Sequence, residues 1–266
     1  MGAEFARRMR FGARALTIYA AAALLFQCLL VLVFRTLDLG TLGPVMEMLP
    51  QGLRALLGAE AAELLSARGF LALVFVHPVM LVLYTAFLIA FASGALAGEI
   101  ERRSIALILV RRVTRRQIVG GVTLMLLLGS TLLMGLLWVG TAAWTTSYDL
   151  GPVDLTAFAW VAGTGLAVLW ALGGVALLAS AATSESGRAA GLGVAFAIAA
   201  YVANYLANLS PEWEWLKPYS VFGYWDPQEI VAQGTGQWTD LYVPLAVATA
   251  AVILALIVFS RRDVAV

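Results

Sequence analysis

The chain has 266 residues, of which 62% are hydrophobic and only 12% charged, with a mean hydropathy of +0.89. Soluble domains are about 25% charged, so a water-soluble fold is excluded and lipid must be the solvent for most of the chain. The net charge of +1 says little, but a single cysteine (Cys28), a single histidine (His77) and a single lysine (Lys217, before Pro218) say more. They exclude an intrachain disulfide, a zinc site of His and Cys, and the Gly-x-x-x-x-Gly-Lys-Ser/Thr phosphate loop. If ATP is used, another chain binds it.

Charged side chains cost about 2.5–3.5 kcal/mol each at the bilayer centre, so charge-free windows mark the spans. Six are long enough: 15–34, 69–98, 117–148, 155–184, 189–211 and 241–260. The predicted spans are 15–34, 69–97, 117–145, 156–182, 189–209 and 241–260, in one all-α transmembrane domain. Thirteen of the seventeen basic residues are inside if the N-terminus is cytoplasmic: Arg7, Arg8, Arg10, Arg14, Arg102, Arg103, Arg111, Arg112, Arg115, Arg116, Arg188, Arg261 and Arg262. Basic loops stay in the cytoplasm, so both termini are expected there, in a multi-pass protein of the cell membrane.

Residues 2–14 mix Phe5, Met9 and Phe11 with arginines, which predicts an amphipathic interfacial helix or a plain topology anchor. The first window is longer than a signal-peptide core, so it reads as a retained span. An interfacial helix is expected after Pro50 on the outer side. In the second span, Pro78 after His77 predicts a kink, and Thr85 and Ser93 follow.

The loop 99–116 carries eight charges around the apolar stretch 105–110, acidic at its start and basic at its end. That order suits a helix macrodipole. The loop reads as a partner-docking helix or as a membrane-surface helix that fixes topology.

The fourth span is glycine-rich (Gly163, Gly165, Gly173, Gly174), which predicts tight packing. The fifth sets Gly187 and Gly191 four apart, a spacing that permits close helix approach. Its outer half carries Tyr201, Asn204, Tyr205 and Asn208, with the two amides on one face. These amides either bond between helices or line a path. Residues 212–240, rich in Trp and Tyr, predict short helices at headgroup level before the last span. No Asp, Glu, Lys or Arg falls within a span, so the motive force for transport is expected from elsewhere.

These features together resemble the permease subunits of ABC-2 type ABC transporters. Their Glu-x-Glu-x-Gly-Thr-Leu stretch, apolar run and Pro-Val-Ser-Arg correspond to Glu99-Ile-Glu101-Arg-Arg103-Ser104-Ile105, the run to Val110, and Arg112-Val113-Thr114-Arg115. Arg103 stands where those permeases have Gly, Arg112 where they have Pro, and Val122 where they have Lys. The segment from Tyr219 to Pro227 and the ending Phe259-Ser-Arg261-Arg262-Asp263 are also similar to the family's.

The resemblance implies a half-transporter with no catalytic residue, metal or cofactor of its own. A second copy of the chain would complete it, separate ATPase subunits would bind ATP and Mg, and no nucleic acid is a partner. Glu99, Glu101, Arg102, Ser104, Arg112, Thr114 and Arg115 would couple to the ATPase. His77, Thr85, Tyr201, Asn204, Tyr205 and Asn208 would line the path or the dimer interface. The alternatives are a non-catalytic membrane scaffold, or an intramembrane enzyme pairing His77 with Ser93 or Ser130.

Overall fold

Lipid offers no hydrogen bonds to a backbone, so a chain this apolar satisfies its peptide groups within helices. A computed structural model describes residues 3–36, 66–102, 114–148 and 153–262. Among these residues every regular element is helical. Six stretches are long and apolar enough to cross a membrane: Arg14–Thr36, Ala67–Glu101, Arg115–Tyr148, Leu155–Ala182, Ser186–Leu209 and Trp238–Arg261. The chain is an all-α multi-pass membrane protein, and every span covers its charge-free window or nearly all of it. The helix expected after Pro50, the stretch 105–110, Ser104 and Arg112 lie outside the described residues.

Helix α1 (Ala3–Thr36) is unbroken, so the basic stretch is helical from Ala3 and continues directly into the first span. The second span is split into α2 (Ala67–Val76) and α3 (Pro78–Ala95), and the short α4 (Ala97–Glu101) follows Leu96. The cause of the split is local. Pro78 has no N–H for the carbonyl of Val74, and its ring drives His77 out of the helical region, to φ −57° and ψ 136°. The imidazole then caps the new helix: His77 Nδ1 accepts from the Val79 N–H at 3.2 Å. The expected kink is therefore a complete break with its own cap.

Helices α5 (Arg115–Tyr148), α6 (Leu155–Ala182) and α7 (Ser186–Leu209) follow. Two 3-10 helices (Pro211–Tyr219 and Val221–Tyr224) and α8 (Pro227–Gln233) lead into α9 (Trp238–Arg261). These are the short helices expected before the last span.

The spans alternate in direction, which leaves the bundle two ends. One gathers Arg102, Arg115, Arg188 and Arg262 and is the arginine end. The other gathers the 3-10 helices with Trp213, Trp215, Tyr219 and Trp238 and is the aromatic end. Helix α6 runs through the centre and touches α2, α3, α5, α7, α8 and α9. Its apolar window is 67% buried, against 17% for α7. Small residues make this possible. Gly174 lets the backbone of α9 approach, so that an added Cβ would lie 3.0 Å from the Ala248 carbonyl, and Gly165 makes room for the indole of Trp225.

Helix α1 packs outside, on α5 and α3. It carries one fully buried amide, Gln27. Gln27 Nε2 donates to the Leu137 carbonyl at 3.1 Å and to Thr141 Oγ1 at 3.2 Å. Its side chain fills a notch opened by Gly140, where an added Cβ would collide with it. In lipid such a bond is worth about 0.6–2 kcal/mol, enough to fix the register of α1 on α5.

Candidate functional site at the arginine end

Each helix leaves four N–H groups bare at its start and four carbonyls at its end, and the macrodipole adds partial charge to both. At the arginine end these needs are met by side chains from other spans. The C-terminus of α9 is held by Arg115, whose Nη1 donates to the Phe259 carbonyl at 3.0 Å and to the carbonyl of Arg262. The C-terminus of α6 is held by Arg262, which donates to the carbonyls of Ala181 at 3.0 Å and Thr183 at 2.6 Å and to Ser184 Oγ. A cation at a C-terminus is the favourable sign in both cases.

The N-terminus of α7 receives the opposite charge. Its own N-cap residue, Glu185, makes no capping bond with its side chain. Glu101, at the end of α4, accepts from Ser186 N at 2.9 Å and Ser186 Oγ at 2.5 Å instead. Nearby, Ser180 of α6 accepts from Ala97 N at 3.0 Å, which fixes the turn at Leu96. Glu99 is buried and pairs with Arg102 at 3.2 Å. Thr114 and Gln117 form a reciprocal cap on α5: Thr114 N donates to Gln117 Oε1 at 2.9 Å, and Gln117 N to Thr114 Oγ1 at 3.3 Å.

Five of the seven residues expected at a coupling surface thus gather at one end: Glu99, Glu101, Arg102, Thr114 and Arg115. They flank the segment 103–113 on both sides, and four of them hold helix ends or stabilise local turns. The side chain of Arg102 is 62% exposed, with its guanidinium folded back onto Glu99 and the Gly94 carbonyl.

The expected path residues divide into two groups. Tyr201, Tyr205 and Asn208 are exposed along one face of α7, and Asn204 beside them is partly buried. The Oδ1 of Asn204 has no partner among the described residues. His77 instead turns toward α1, its ring 4.9 Å from that of Phe26. The Thr85 hydroxyl donates to the Leu81 carbonyl of its own helix at 2.7 Å. The glycines of α7 also behave differently from one another. Gly193 packs on Ile89 and Ala176, whereas Gly187 and Gly191 face open space.

At the aromatic end a cleft of about 660 Å³ lies among the longer 3-10 helix, α8 and the start of α9. Trp215, Tyr224, Lys217, Glu214, Asp226, Glu229 and Asp240 line it. Two of its carboxylates have structural work: Asp226 accepts from Glu229 N at 3.1 Å and Asp240 from Gln237 N at 3.1 Å.

Sequence reasoning did not single out Gln27, Ser180, Ser186 or the capping role of Arg262. A lone amide in an apolar window was the available signal for Gln27. The others have none, because their partners are 78 to 87 residues away for the bonds of Ser180, Ser186 and Arg262. No protein-family model and no curated protein matches this chain.

Proposed function

We propose that this chain is the membrane-spanning permease subunit of an ATP-driven exporter, working as a pair of identical subunits with separate ATPase subunits. The observation that carries the reading is the gathering of Glu99, Glu101, Arg102, Thr114 and Arg115 at the arginine end. There they bracket 103–113, and Arg115 and Glu101 are bonded to the ends of two further spans, α9 and α7. A push on that segment is delivered to helix ends, which suits a subunit moved by a partner. The excess of basic residues in these loops supports a cytoplasmic side for this end, the side of ATP. The sequence resemblance to ABC-2 type permeases points the same way.

The serine–histidine alternative gains no support from the geometry. Ser93 lies sixteen residues beyond His77, about 24 Å along a continuous helix, and its hydroxyl donates to the Ala90 carbonyl. Ser130 donates to the Leu126 carbonyl.

The test is to purify the chain from its native membrane, identify a companion ATPase, and measure nucleotide hydrolysis in nanodiscs. Arg102→Gln is a sharper variant than a reversal at Arg115 or Glu99, because the Arg102 side chain is mostly exposed and glutamine removes its charge without setting a second carboxylate against buried Glu99. The expected result is co-purification of an ATPase whose coupled hydrolysis falls with Arg102→Gln. A chain that purifies without any nucleotide-binding companion, yet is fully assembled, is the scaffold reading instead.

A further inference from the structure

The helices of the bundle are anchored differently at the arginine end. The ends of α6 and α9 are tied by arginines, through three bonds of Arg262 and two of Arg115. The start of α7 is tied through two bonds to a single carboxylate oxygen of Glu101. Helix α7 is also the least buried span, at 17% of its apolar window. Its first two turns contain Gly187, Gly191 and Gly193, and glycine is a weaker helix former than alanine. Gly187 and Gly191 make no side-chain packing of their own, with nothing within 4 Å of an added Cβ. In its second half α7 is held again, where Ser220 Oγ donates to the Ala200 carbonyl at 2.6 Å. The helix is thus fixed near Ala200 and fastened at Ser186 by a side chain of α4, the element that leads directly into 103–113.

We propose that Glu101 is a latch on α7: while its carboxylate caps Ser186 the first turns of α7 stay closed, and displacement of α4 frees them. Helix α7 is then the moving helix of the bundle, pivoting about its anchored half. This deepens the permease reading, since it names the step by which a push on 103–113 reaches the face that carries Tyr201, Asn204, Tyr205 and Asn208. Glu101 is a positioning residue and touches no cargo. Its exposure to water suits the role, because an exposed carboxylate is readily exchanged between partners.

Hydrogen exchange of the chain alone in nanodiscs tests the latch without any companion protein. In Glu101→Ala, the amides of Ala189 to Gly193 are expected to exchange about tenfold faster or more, while those at the end of α6 and in α9 keep their rates. Glu101→Gln, which keeps an acceptor for Ser186 N, is expected to fall between. Unchanged exchange in α7, or an equal rise throughout the bundle, overturns the proposal.

A second arm uses Glu101→Cys with Ser186→Cys in a Cys28→Ser background, closed by a short bis-methanethiosulfonate. The cross-linked chain is expected to keep its companion ATPase and lose coupled hydrolysis until reduced. Full coupled hydrolysis while cross-linked also overturns the latch. Loss of the companion from every variant, including the uncross-linked parent, is a failure of the permease reading alone, and the exchange result still decides the latch.

Discussion

The two ends of the bundle solve one problem in opposite ways. At the aromatic end, helix ends are closed by neighbours in sequence. Asp154 caps α6 through Thr156 N at 2.8 Å, Asp226 caps α8, and Gln237 and Asp240 form a reciprocal box on α9. Rings then pack across the gaps: Trp160 meets Trp238 at 5.1 Å, and buried Trp225 donates to the Val161 carbonyl at 3.0 Å. At the arginine end, α6, α7 and α9 are closed by charged groups from other helices. Local caps stabilise each helix separately. Cross-span caps make the position of one helix depend on another. The second arrangement is suited to transmitting motion, and the first to resisting it.

Substitutions at three positions sharpen or break this contrast. Trp225→Ala should have the largest effect, because it leaves a cavity over Gly165 and removes the donor to Val161. The expected loss is about 3–5 kcal/mol in detergent unfolding. A loss below half of that would mean that the aromatic end is not the rigid one.

Arg262→Ala should come next, at about 1.5–3 kcal/mol, the range for hydrogen bonds to a charged group. Arg262→Lys should recover only part of this, since a single ammonium does not reproduce the guanidinium fork. Full recovery by lysine would reduce the cap to simple charge. Asp154→Ala should have the smallest effect, about 1 kcal/mol, the usual value of a lost N-cap. It should speed exchange only in the first turn of α6. A change reaching the arginine end would show that local caps also transmit.

The spans were legible because charge is excluded from hydrocarbon, and the charge-free windows mark the helices to within a few residues. The break at His77 and Pro78 was legible for a local reason, the missing N–H of proline. The packing of Gly165 and Gly174 was legible as a composition, although not the partners Trp225 and Ala248. The arginine-end network was half legible. Glu99, Glu101, Arg102, Thr114 and Arg115 stood out as charged or polar residues around one loop. Their bonds did not, because Arg115 meets Phe259 across 144 positions and Glu101 meets Ser186 across 85. No local pattern encodes such distances. The same holds for Gln27 and Gly140, which fit each other only once α1 lies on α5. The residues of α7 expected at a path share one face as their spacing requires, while His77 looks to α1 because the break in its helix turns it there.

The coupling account depends on which side of the membrane the arginine end occupies. Single cysteines at Arg116 and at Trp213, both exposed and at opposite ends, in a Cys28→Ser background, measure this with a membrane-impermeant maleimide. The account predicts that Arg116→Cys is labelled only in inverted vesicles and Trp213→Cys only in intact cells. Labelling of Arg116→Cys from outside intact cells would place Glu101, Arg102 and Arg115 away from ATP and contradict it.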